Sequence, residues 1–127
     1  MGLNYPMHES LHTLLDFVLP QGLKYYFELI NHQSDEENLH LYLEEQNIIP
    51  EEYTADKLES KGFFNEIILQ DFPLRGRNVF LHIKRRRWFN HTTGTVVYRD
   101  WTLVAKGTRI TKDFAAFLKE ISRYPSS

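Results

Sequence analysis

The chain has no cysteine in its 127 residues, which excludes a disulfide scaffold and any cysteine-ligated zinc or iron–sulfur site. Glycine is also scarce. The six glycines are scattered, and none falls into a G-x-G-x-x-G or G-x-x-x-x-G-K pattern, so no phosphate-cradling loop is present. No apolar run approaches the ~18 residues that a membrane helix needs. The opening Met1-Gly2-Leu3-Asn4-Tyr5-Pro6 has no basic stretch leading into an apolar one, and Pro6 stands where an N-myristoylation signal has Ser or Thr. These absences predict a soluble, cytoplasmic protein with no membrane partner. What is present can build a core: 42% of residues are apolar and 14% aromatic, with nine Phe, seven Tyr and two Trp. This length predicts a single domain over residues 1–127.

The formal net charge of -2 hides a division along the chain. Residues 1–50 carry eight acidic side chains against Lys24 alone, whereas residues 51–127 carry fourteen basic and nine acidic ones. Between 74 and 112, ten cations stand against Asp100 only. Such asymmetry points to a polyanion-binding segment beside an acidic one. The alternative is that the two parts pair with each other within one fold.

Ser10 to Leu19 predicts a short helix, with Leu11, Leu14, Leu15 and Val18 on one stripe and Pro20-Gln21-Gly22 as its stop. Residues 24–45 predict a β-hairpin with an acidic, mobile loop, because Tyr25, Phe27 and Leu29 share one parity and Leu39, Leu41 and Leu43 another run of period two. A helix over 36–46 is the competing reading. Residues 47–61 read as a connection of low order. Strands over 64–69, 78–89 and 95–104, with turns at 72–76 and 90–94, make 63–104 a basic ribbon. Thr111 caps a helix over 111–123 whose stripe is Phe114, Ala115, Phe117, Leu118 and Ile121. The predicted fold class is α+β: an antiparallel sheet of about five strands, an N-terminal and a C-terminal helix, and a projecting basic β-hairpin.

Catalytic chemistry finds little support. His8-Glu9-Ser10-Leu11-His12 matches H-E-x-x-H, but no sheet precedes it and no third ligand follows on a helix, so no metal site is expected. His32, His40, His82 and His91 have no triad spacing, and His40 and His82 fall opposite the apolar parity, as exposed sheet residues would. Asp71 reads as a turn residue and Asp100 as a cross-strand partner of an arginine. No catalytic residue, cofactor or metal is predicted.

The basic ribbon carries the strongest signal. Val79, Leu81 and Ile83 point inward, which places Phe80, His82, Lys84, Arg86 and Trp88 on the other face. Arg85 and Arg87 then share the core parity, yet a guanidinium cannot be buried unpaired. The strand is therefore expected to run past the core at Arg85 and project. A two-stranded ribbon dense in Arg and aromatics fits the DNA major groove. The alternative is a solvated hairpin whose charges keep an edge soluble.

From about Leu14 to Tyr124 the chain resembles the N-terminal region of bacterial insertion-sequence transposases of the DDE type. The resemblance rests on Leu19-Pro20-Gln21-Gly22, Tyr42-Leu43-Glu44-Glu45, Pro50-Glu51-Glu52-Tyr53 and Lys61-Gly62-Phe63-Phe64. It also rests on Gln70-Asp71-Phe72-Pro73-Leu74-Arg75-Gly76, Leu81 to Trp88, Val97-Tyr98-Arg99-Asp100-Trp101, Gly107 to Thr111 and Phe114 to Leu118. In related transposases the Arg-rich strand leads into a cysteine-ligated zinc ribbon. Here Phe89-Asn90-His91-Thr92-Thr93-Gly94 stands in that place, so the resemblance implies a zinc-free ribbon. It further implies a non-catalytic N-terminal domain or accessory protein that helps recognise transposon ends in double-stranded DNA. Lys84, Arg85, Arg86 and Arg87 would contact phosphates or base edges, with Trp88 stacking or bracing. Arg75, Arg77, Arg99, Lys106 and Arg109 would extend the positive surface. The alternative function is an adaptor whose acidic hairpin (Glu28, Asp35, Glu36, Glu37, Glu44, Glu45) docks the catalytic transposase polypeptide.

Overall fold

The computed structural model describes residues 10, 13–107 and 111–124. Residues 13–18 form helix α1, which ends where the Leu19 N–H donates to the Leu15 carbonyl and Pro20 breaks the ladder. Gly22 follows with φ 101°, a conformation that strains any residue with a Cβ, and a Cβ there would also crowd the Phe114 ring at 3.1 Å.

Strands β1 (Phe27–Ser34) and β2 (Asn38–Glu45) form the predicted acidic hairpin. Its loop is a tied turn: the Asp35 carboxylate accepts the Glu37 and Asn38 amides, each at 2.8 Å. A bulge between Leu29 and Asn31 resets the parity, so Asn31 and Gln33 lie opposite Tyr42 and His40. Strand β4 (Ile67–Leu74) returns through Arg75 and Gly76 into β5 (Arg77–Lys84). Both turn residues have positive φ, 51° and 81°, as a two-residue hairpin of the right twist needs. The pairing of β2 with β5 is parallel, which gives a four-stranded mixed sheet in the order β1-β2-β5-β4.

The long strand expected over 78–89 breaks at Arg85. Strand β6 (Arg86–Asn90) belongs to a second, three-stranded antiparallel sheet, between β3 (Leu58–Phe63) and β7 (Thr95–Tyr98). The break has a local cause. Beyond the Glu44–Lys84 pair the β2–β5 ladder ends, and the Glu45 carboxylate takes the Arg86 amide at 3.0 Å in its place. Two expectations are thereby corrected. Among the described residues there are two sheets in place of one of about five strands, and 63–104 is not a projecting ribbon, because β3 flanks β6 along its length. Strand β3 also begins inside the stretch 47–61 read as low order and runs past its end to Phe63.

Helix α2 (Trp101–Gly107) replaces the second half of the strand expected over 95–104. Asp100 decides this: its Oδ1 accepts the Thr102 and Leu103 amides at 2.9 and 3.3 Å, an N-cap and not a cross-strand partner. Helix α3 (Lys112–Ser122) lies where predicted, with Thr111 Oγ1 accepting the Phe114 amide at 3.2 Å. Its Phe114, Phe117, Leu118 and Ile121 share one core with Leu41, Leu43, Leu69, Val79, Leu81 and Ile83 of the four-stranded sheet. Phe27 ties the elements together, stacking on Trp101 at 5.3 Å and meeting Phe117 edge-on at 5.8 Å. The fold is α+β. Among the described residues no helix is long and apolar enough to cross a membrane.

Candidate nucleic-acid interface

The four consecutive cations do not share one surface, because the chain changes sheets in their midst. Lys84 closes β5, beside Glu44 in the ladder. Arg85 is 6% exposed, its guanidinium 5.6 Å from the centre of the Phe64 ring and donating to the Tyr124 carbonyl at 3.3 Å. Burial lowers its pKa, with Glu45 opposing the shift. Arg85 does not project, because its burial here comes with partners. Arg86 donates Nε–H to the Glu45 carbonyl at 3.0 Å and Nη1–H to Ser60 Oγ at 2.5 Å, and lies 4.6 Å from the centre of the Phe63 ring. Arg99 is 8% exposed, its Nε 2.8 Å from Glu45 Oε2 and its Nη2 2.6 Å from the Ile48 carbonyl. Three of the ten expected contact residues are thus spent inside the fold around Glu45. The acidic and basic parts of the chain meet there.

Trp88 is 0% exposed and donates Nε1–H to Asn47 Oδ1 at 2.8 Å. Its ring faces lie inside the fold, on the side of β6 away from Arg87. Arg75 is exposed at the β4–β5 turn, and Arg77 beside it donates Nε–H to the Asp35 carbonyl at 2.6 Å. Lys106 is exposed on α2. Arg109, His8 and His12 lie outside the described residues. Asp71 is corrected from a turn residue to a half-buried position in β4, where burial and nearby Asp113 raise its pKa.

Arg87 alone of the four consecutive cations is exposed. It occupies the outer face of the three-stranded sheet, where the register places Arg87 opposite Tyr98 and Phe89 between Glu59 and Val96. Arg87 donates Nε–H to the Lys61 carbonyl at 2.9 Å, and Lys61 is itself exposed. Tyr98 is 45% exposed and braced edge-on by Phe64 at 5.3 Å. Phe89 is half-buried, with His91 edge-on at 4.8 Å. One carboxylate shares this face. Glu59 sits 3.1 Å from His91 Nε2 and 3.6 Å from Lys61 Nζ, and these neighbours, His91 first, lower its pKa. Lys57 extends the basic rim at the tip, its carbonyl accepting the His91 amide at 2.8 Å. Lys61 on β3 and Lys57 just before it do not stand out in the sequence, because the only local sign of the strand is Leu58 and Ser60 alternating with Glu59 and Lys61.

The face can offer point charges and guanidinium contacts to phosphates, and ring faces to bases. It cannot enter a groove. Three strands span roughly 10 Å from backbone to backbone before side chains are counted, against a major groove about 12 Å wide. No protein-family model, curated protein or solved structure matches this chain.

Proposed function

We propose that the chain is a non-catalytic DNA-binding domain or accessory protein of a bacterial insertion-sequence transposase, acting at transposon ends in the cytoplasm. The observation that carries this reading is the outer face of the three-stranded sheet, where exposed Arg87 lies between exposed Lys61 and exposed Tyr98. The resemblance to transposase N-terminal regions supports the same reading, and the geometry favours lying along a backbone over insertion into a groove. Contact with about two phosphates gives a log–log salt slope near -2, since each neutralised phosphate releases about 0.9 counterion. Arg87→Ala and Lys61→Ala each flatten that slope by about one unit while the fold stays intact. A filter-binding titration across salt, with element-end and random duplex, measures this. Salt-insensitive or absent binding to both overturns the reading.

A second reading, the adaptor that docks the catalytic transposase polypeptide, draws on a different observation. Ile68 and Phe72 of edge strand β4 are both exposed. Of the acidic residues first assigned to docking, Glu45 is buried in the fold and drops out. Capture of the catalytic polypeptide by protein that binds no duplex favours the adaptor.

A further inference from the structure

The face of the four-stranded sheet turned away from the helices carries a cluster that alternation alone misassigned. His40 and His82 were expected to be exposed, but His82 is 8% exposed. Its Nδ1 lies 2.8 Å from Glu66 Oε1, and its Nε2 lies 2.8 Å from His40 Nδ1. Tyr42 stacks on the His82 ring at 4.3 Å, and Phe80 stacks on His40 at 5.2 Å. The parallel register of β2 and β5 sets Tyr42 beside His82 and His40 beside Phe80, so the two imidazoles meet on the diagonal. Each nitrogen–nitrogen or nitrogen–oxygen contact holds one proton, and that constraint fixes the chemistry.

We propose that Glu66, His82 and His40 form a proton relay across β5 and β2, which moves charge from the sheet surface to His82 and makes the His40–His82 contact depend on pH. In the neutral state His82 Nδ1–H donates to Glu66, and His40 Nδ1–H donates to the His82 Nε2 lone pair. Both rings then hold their proton on Nδ1, and half-buried His40 keeps a lone pair on Nε2. A proton arriving at His40 Nε2 lets the shared proton pass from His40 Nδ1 to His82 Nε2. The positive charge comes to rest on His82 against the Glu66 carboxylate, and the ring–ring hydrogen bond survives with donor and acceptor exchanged. A second proton leaves N–H facing N–H, and the contact must open. The surrounding groups are few. Asp35 acts on His40 from the β1–β2 turn, Glu28, Glu44 and Lys84 lie at one end of the face, and Gln33 bonds the Tyr42 hydroxyl at 3.2 Å. From β4, Ile68 and Gln70 contribute no charge.

The test is a long-range proton–nitrogen NMR titration of both imidazoles in the intact protein between pH 5 and 9. Wild-type protein at the alkaline end shows both rings as Nδ1–H tautomers, and one protonation step shared by the two rings. Glu66→Gln keeps an acceptor for His82 but removes its charge, so the shared step moves to lower pH. His40→Ala removes the shared step and leaves His82 titrating alone. Independent titration of the two rings in wild-type protein, or an Nε2–H tautomer on either at alkaline pH, overturns the relay without reference to any variant.

Discussion

At the scale of single residues, Glu45 decides more than any other side chain. One carboxylate at the end of β2 accepts the Arg86 amide and the Arg99 guanidinium, and its own backbone carbonyl accepts Arg86 Nε–H. It closes one sheet, starts the other and neutralises a buried arginine. Burial still raises its pKa despite Arg99, because desolvating the carboxylate costs more than the pair returns. The ionised pair is therefore a device of geometry more than of net stability. Glu45→Ala strands Arg99 in the interior and costs about 3–5 kcal/mol in denaturant unfolding. The double variant with Glu45 and Arg99 both replaced by Met loses less than the sum of the two single losses, which a double-mutant cycle measures. Equal and additive losses would mean the pair carries no coupling.

At the scale of elements, the second sheet stands on Trp88. Its side chain is fully buried on β6, away from Arg87 and Tyr98, with its indole N–H held by Asn47. Trp88→Ala removes the largest side chain of that layer and leaves the Asn47 amide oxygen without its donor. The expected cost is about 3–5 kcal/mol. Hydrogen exchange localises the damage to β3, β6 and β7, whose amides lose protection before those of the four-stranded sheet. A variant that keeps full protection there but loses DNA affinity would return Trp88 to a contact role. The hairpin formed by β1 and β2 was legible because its alternation is clean and its turn residue, Asp35, makes its own hydrogen bonds. Helix α3 was legible for the same reason, since cap and stripe are both local. Helix α2 was not, because Val97 to Val104 alternates well enough to pass for a strand and one capping aspartate overrides it.

At the scale of the whole molecule, charge and pH act through the turns and the second sheet. The Asn38 and Glu37 amides lower the Asp35 pKa, and His91 and Lys61 lower that of Glu59. A carboxylate whose folded pKa is depressed contributes stability above its unfolded pKa, about 4, and that contribution is lost as pH falls through the folded value. Glu45 runs the other way. Its raised pKa favours the fold below the unfolded value, and that advantage is lost as pH rises through the folded one. Asp35→Asn keeps the turn's acceptor oxygen but removes the titration. It should flatten the fall of thermal midpoint below about pH 4, and an unchanged acid limb would show that Asp35 does not contribute.

The sequence by itself determined the class of the fold, the acidic hairpin, the C-terminal helix and the uneven charge, because each depends on spacing within a few residues. The strands' partners were decided only in three dimensions. Nothing within 78–89 names the partner strands on which the chain leaves one sheet at Arg85 and enters another; only there does the buried parity change, from Val79, Leu81 and Ile83 to Trp88 and Asn90. The fate of the arginines follows from that step. Whether a guanidinium meets water or a carboxylate 54 residues away, as Arg99 meets Glu45, depends on what the crossover brings beside it. Here it brought Glu45 to Arg86 and Arg99, left Arg87 beside Lys61 on the outer face, and set two histidines against each other where alternation predicted two exposed side chains.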